Sequence, residues 1–186
     1  MAHATVLFAD RGYHPTAVSD IVDSLGVGKG VFYWYFSSKE ELLSEILRDA
    51  HLQLRRAQQA AIASAPDPLE RIELGILASL QWFRDHRAYF AITQFAATDE
   101  TFAPVLRRNR EVAVADTVRH IKEAIVEGRI ADGEPELLAH AILGVVDQLT
   151  RRYLIERDEP VAQIAAAATA FCISGLAGGA PPEPRS

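Results

Sequence analysis

Apolar residues in this chain recur at three- and four-residue spacings almost from end to end, and almost nowhere at a spacing of two. A half-buried strand alternates with period two, whereas a helix with one buried face repeats near 3.6. No Asn-Gly or Asp-Gly turn joins two apolar runs, which argues against hairpins as well. The expectation is an all-α fold, divided into helices by glycine and proline. Ala4, Leu7 and Phe8 share one side of a first helix over Ala2–Arg11, stopped by Gly12. Thr16 is a suitable N-cap for a second helix, in which Val18, Ile21, Val22 and Leu25 fall at i, i+3, i+4 and i+7. Gly26 suits the left-handed residue that ends it. A third short helix takes up Gly28 to about Trp34, and a long one runs from Lys39 to about Ala63. Ser38 with Glu41, or equally Ser37 with Glu40, forms a capping box at its start. APDP at 65–68 breaks the chain, and Pro68 suits the first turn of a helix to His86. RAYFAITQFAA, Thr101 to about Val126, Glu134 or Pro135 to about Glu156, and a last helix from near Val161 complete a set of about nine. Residues 180–186 are expected to be a disordered tail.

The 186 residues are 49% apolar and 24% charged, enough for a real core. Net charge is -6, so nothing global favours nucleic acid or an anionic membrane, and any such contact has to be local. The single cysteine, Cys172, excludes an internal disulfide and a cysteine-built zinc site, and in AFCISG it reads as a small buried hydrophobe. Residues 161–180 approach the roughly 20 needed to cross a bilayer. They are mostly alanine and glycine, are interrupted by Gln163, and lack a flanking cluster of lysine or arginine, so they read as a packing helix. With no secretory signal at the start, a cytoplasmic protein without membrane contact is expected. His86, His120 and His140 are lone histidines on helices, with no metalloprotease motif, nucleophile elbow or phosphate-cradling loop. Neither catalysis nor a cofactor or metal is expected.

Residues 17–36 have the layout of a helix-turn-helix: a short amphipathic helix, a turn through Leu25-Gly26-Val27, and a second short helix. That second helix opens with Gly28-Lys29-Gly30-Val31 and then spends five consecutive positions on aromatics, Phe32 to Phe36. Phe32 and Phe36, four apart, suit the core. From Leu7 to Leu43 the order LFADRGYHPTAVSDIVDSLGVGKGVFYWYFSSKEELL closely resembles the N-terminal domain of the TetR family of bacterial transcriptional repressors. LFADRGY, the segment from Thr16 to Ile21, LGV, KG, FY, Phe36 and SKEEL carry the likeness. It implies a DNA-binding domain over residues 1–44 and a ligand-binding and dimerisation domain over 45–179. By position, it implies DNA contacts from Thr16, Ala17 and Ser19, base and phosphate contacts from Lys29, Gly30 and Val31, and phosphate contacts from Tyr33, Tyr35 and Lys39. Gly28 and Val31 stand where the family commonly has Ser and Thr, so two hydroxyl contacts are absent.

The same resemblance implies a cavity for a small lipophilic or amphipathic effector. Trp82, Phe83, Tyr89, Phe90, Phe95 and Phe102 are candidates for its walls. Gln94, Asn109, Asp147, Gln148 and Tyr153 are candidates for its polar anchors. Leu138, Ile142, Val145, Val146 and Leu149 form an apolar stripe on the penultimate helix. With Ile164, Ala168 and Phe171 on the last one, they suggest a four-helix homodimer interface. A two-fold dimer implies a palindromic double-stranded operator. The alternative is a helical ligand-binding or scaffold protein with weak or lost DNA binding.

Overall fold

In the computed structural model, residues 1–177 are described; the expected tail at 180–186 lies outside them. The described residues form nine α-helices and no strand. They are α1 (Ala2–Arg11), α2 (Val18–Ser24), α3 (Lys29–Tyr35), α4 (Lys39–Ile62), α5 (Pro68–Asp85), α6 (Arg87–Ala96), α7 (Ala103–Val126), α8 (Pro135–Leu149) and α9 (Val161–Ala177). A 3₁₀ turn, Glu100–Phe102, precedes α7, and a π-helical stretch, Thr150–Ile155, continues α8.

Capping chemistry sets several of the ends. Gly26 has φ +66, its N–H donates to Asp23 O at 3.1 Å, and Val27 N–H donates to Val22 O at 3.0 Å. Those two bonds satisfy carbonyls that α2 leaves open, and the left-handed residue between them suits glycine. Gly128 ends α7 in the same way, through Gly128 to Ile125 and Arg129 to Ala124. Asp67 receives Leu69 N–H at the start of α5, and the Glu134 carboxylate receives Glu136 and Leu137 N–H at the start of α8, where Pro135 needs no partner.

The chain divides into two packed units. The first holds residues Met1–Gln53 and His86–Arg110, so α6 packs with the N-terminal helices, chiefly on α1. It is discontinuous, unlike the single cut near residue 44 expected above. Its core gathers Phe8 and Tyr13, Ile21 and Val22, Phe32, Leu42, Leu43 and Ile46, with Ile92 and Phe102 from the later segment. The second unit comprises Leu54–Asp85 and the chain from Glu111. There α5 packs on α9, and α8 on α9, around Ile76, Leu80, Ile121, Leu154 and Ala168.

Candidate functional site

The loop between α1 and α2 is tied down from within the first unit. Tyr13 is buried against Phe8, Phe95 and Phe102, with ring centroids 5.1–5.5 Å away, and its hydroxyl donates to Glu40 Oε1 at 3.1 Å. Burial first, and the Glu40 carboxylate second, push the phenol pKa well above its ordinary value. Thr16 is 0% exposed, and its hydroxyl donates to Gly12 O at 2.7 Å. It therefore neither caps α2 nor offers a side chain to DNA, a correction to both expectations. The N-cap is Ala17, whose N–H goes to Asp20 Oδ2 at 2.7 Å, so an acidic residue one turn in takes over the capping.

Lys39 is the second correction. Its ammonium donates to Tyr13 O at 2.8 Å, Thr16 O at 2.9 Å and His14 O at 3.4 Å, and lies 4.3 Å from the Tyr13 ring centroid. An ammonium has three donors, and all three go to loop carbonyls instead of a phosphate. Beside it, Ser38 Oγ caps α4 by accepting from Glu41 N–H at 3.1 Å. The Glu41 carboxylate reaches past Ser38 to Ser37, accepting from its N–H at 2.6 Å and its hydroxyl at 2.5 Å. Those bonds hold the Glu41 pKa below the ordinary carboxylate value.

With the loop fixed, α3 is held by one buried anchor. Phe32 packs into the core, and its burial contributes about 1.5–3 kcal/mol. Phe36 stays half-buried, 5.7 Å from it. The rest of α3 faces solvent. Lys29, Gly30 and Val31 are exposed, Tyr33 is 56% and Tyr35 71% exposed, and Trp34 reaches 85%. Ala17 is exposed and Ser19 half-buried on α2. A seven-residue helix that buries one aromatic and presents three is built to touch something other than its own core.

The second unit contains a cavity of about 620 Å³, counting the space open to solvent at its mouth. Ile62, Ile72, Ile76, Ile142, Leu143 and Val146 form apolar walls. The polar lining comes from Gln58 and Gln59 on α4, Arg71 and Ser79 on α5, and Asp116, Thr117 and His120 on α7. Gln58 Nε2 donates to Ser79 Oγ at 2.8 Å, and Arg55 clasps Asp116 through Nε and Nη2 at 2.5 and 3.1 Å. His120 is 7% exposed, and its Nδ1 has no partner. Burial, with Arg119 next, lowers its pKa, so the ring is neutral near pH 7.

None of the expected effector residues lines that cavity. Trp82 is buried and Phe83 half-buried on α5, packed edge to face at 5.2 Å. Tyr89, Phe90, Phe95 and Phe102 belong to the first unit; Phe102 is wholly buried there and Phe95 lines a different pocket with Phe8 and Tyr13. Gln94 is half-buried on α6, and Asn109 donates to Leu47 O at 3.2 Å. Asp147 and Gln148 are exposed, Gln148 accepting from Arg151, and Tyr153 lies under Arg157. Aromatic content signalled core packing, not the cavity. The usable signal was polar residues at helical spacing on α7, Asp116, Thr117 and His120, beside the buried Val114 and Ile121.

The expected dimer stripe needs the same correction. Ile142, Val146, Ile164 and Ala168 are buried in their own unit's core, with Leu138, Val145 and Leu149 packed against it. The outward face of α8 carries Leu137, Ala141 and Gly144, and that of α9 carries Ala167 and Phe171, the last 69% exposed. Of the expected set, Phe171 alone lies outside. Among the described residues no His, Cys, Asp and Glu cluster has a metal-holding arrangement, and no helix is long and apolar enough to cross a membrane.

Residues 1–46 match the model of the family described as bacterial regulatory proteins, tetR family. The HTH-type transcriptional repressor KstR2 of Mycolicibacterium smegmatis is 34% identical over 134 residues, 70% of this chain and 62% of that protein. KstR2 of Mycobacterium tuberculosis is 33% identical over 112 residues, covering 58% of this chain and 56% of the relative. In these alignments the chain spans less than two thirds of either repressor. The solved structure of the ketosteroid transcriptional regulator KstR2 of Mycobacterium tuberculosis superposes with a TM-score of 0.71 at 27% identity, over 95% of this chain and 92% of that one. A putative TetR-family regulator from Syntrophomonas wolfei gives a TM-score of 0.82 at 20% identity, over 94% and 91%. The named repressors are regulators, not enzymes.

Proposed function

Because this chain belongs to the tetR family of bacterial regulatory proteins, we propose that it is a DNA-binding transcriptional repressor. As a homodimer it binds a palindromic operator in the cytoplasm, and a small lipophilic effector releases it. The observation that carries the proposal is α3, which shows Lys29, Val31, Tyr33, Trp34 and Tyr35 to solvent while Phe32 holds it on the core. Such a helix enters the major groove by its N-terminal residues, and the tyrosine hydroxyls reach phosphates. Two copies related by a two-fold axis would space their recognition helices by about 34–36 Å, one turn of DNA. Corrected for burial, the pairing surface is Leu137, Ala141 and Gly144 with Ala167 and Phe171. The KstR2 relative is named for a ketosteroid, a lipophilic compound, which agrees with an effector held by apolar walls. The effector acts by preferring a conformer whose recognition helices no longer fit the operator spacing.

The test is fluorescence anisotropy on DNA flanking the gene, titrated with salt. Palindrome-specific, salt-sensitive binding is expected, weakened by Lys29→Ala and by Tyr33→Phe without loss of helix content. An intact dimer that binds no DNA at any salt concentration would instead fit the scaffold reading, which the engagement of the Lys39 ammonium by loop carbonyls and the net charge of -6 favour.

A further inference from the structure

Apart from Gln59, half-buried on α4, the polar groups around the cavity of the second unit are, with one exception, already occupied by protein partners. Arg55 neutralises Asp116, and Glu123 pairs with Arg71, whose other nitrogens donate to Ala65 O at 2.8 Å and Pro66 O at 2.6 Å. Ser79 donates to Gly75 O at 2.7 Å while receiving Gln58, and Thr117 donates to Ala113 O at 3.0 Å. The exception is His120. Its Nδ1 is the one lining atom, among the described residues, that is buried without a partner. A polar atom left so is costly to the fold, and a ligand's hydrogen bond removes that cost.

We propose that this cavity takes an uncharged lipophilic molecule bearing a hydroxyl or carbonyl group, whose oxygen hydrogen-bonds His120 Nδ1 while its hydrocarbon lies along the isoleucine wall. The assignment rests on the reading of the chain as effector-responsive and names the chemical class of the effector. A carboxylate or phosphate is disfavoured because Arg71 in the lining and Arg55 on Asp116 already hold acids, Arg119 beside His120 is exposed to solvent, and a charge buried without a counter-charge is costly. An ammonium is disfavoured in the same way, since the carboxylates of Asp116 and Glu123 are taken. A neutral imidazole serves both permitted groups, as acceptor to a hydroxyl or as donor to a carbonyl.

Calorimetric titration of the full chain at pH 7.5 with decanol, decanoate and decylamine tests the class. Decanol is expected to bind about 100-fold or more tightly than either charged analogue. His120→Phe should weaken decanol roughly three- to tenfold, and His120→Gln should keep most of its affinity. The nitrogen resonance of His120 Nδ1 in the unaltered chain should move on adding decanol, a readout that needs no variant to fold. Decanoate or decylamine binding as tightly as decanol, or an unmoved resonance at saturating decanol, overturns the proposal. Operator anisotropy on the same preparation keeps the two readings apart. Lost DNA binding with the ligand order intact removes the regulator alone, whereas intact DNA binding with decanoate preferred removes the ligand class alone.

Discussion

Lys39 and Lys29 lie ten positions apart and have opposite assignments. Lys39 ties the Tyr13 and Thr16 carbonyls to the start of α4, so Lys39→Met is expected to lower stability by about 1.5–3 kcal/mol, the range for hydrogen bonds from a charged group. Lys29→Met should leave the urea midpoint within about 0.5 kcal/mol of the parent and act on operator affinity instead. Urea melts and DNA anisotropy on the two variants check the division, and an unchanged midpoint for Lys39→Met would remove the clamp. His120 carries a pH signature. Its pKa is lowered in the fold from 6.5, so the unfolded chain takes up the proton more readily. The stability it contributes is therefore present above about pH 6.5 and lost as pH falls from there through the lowered folded value. Glu40, Glu41 and Asp99 are lowered from values of 3.8–4.5, so their contributions persist through this window and fade only in more acid solution. Urea midpoints between pH 7.5 and pH 5 should fall for the ligand-free chain, and fall less for His120→Phe.

At the scale of elements, the turn between α2 and α3 sets how α3 is presented. Gly26 has φ +66 and open space where a Cβ would stand, so Gly26→Ala costs about 1–2 kcal/mol of backbone strain with no clash. Thermal melts should show that loss with the helical signal kept, and a melting temperature unchanged from the parent would mean that the turn is not held left-handed. Ends of this kind are legible in the sequence because their chemistry is local: Gly26, Pro68, Gly128 and Glu134 each act within a turn of the helix they bound. The helix-turn-helix is legible for the same reason. Lys39 is not, since its partners lie 23 and 26 residues away and the lysine is equally suited to a phosphate. The stripe on α8 shows a further limit of periodicity: it marks Ile142 and Val146 as belonging to a buried face, but not whether α5, α9 or a second chain does the burying. Aromatic residues misled about the cavity because large rings fill cores more often than they line open space.

For the whole molecule, the outward face of α8 and α9 and the core beneath it have separable consequences. Phe171→Glu adds a charge to an exposed position, so the chain is expected to stay folded and elute as a monomer. Ile142→Asp places an unpaired charge in the second core and is expected to unfold that unit, a loss of about 3 kcal/mol or more. Light scattering on both variants, with circular dichroism, checks the assignment; a dimeric Phe171→Glu would move the interface elsewhere. The two tryptophans are divided between the units in a way that makes the molecule report on itself. Trp34 sits in the first unit, 85% exposed on α3, while Trp82 is 7% exposed in the second. Iodide will therefore quench a long-wavelength emission from Trp34 and spare a shorter-wavelength one from Trp82. Operator should shield the former, and neither dye nor label is needed to watch the surface proposed to face DNA become occupied.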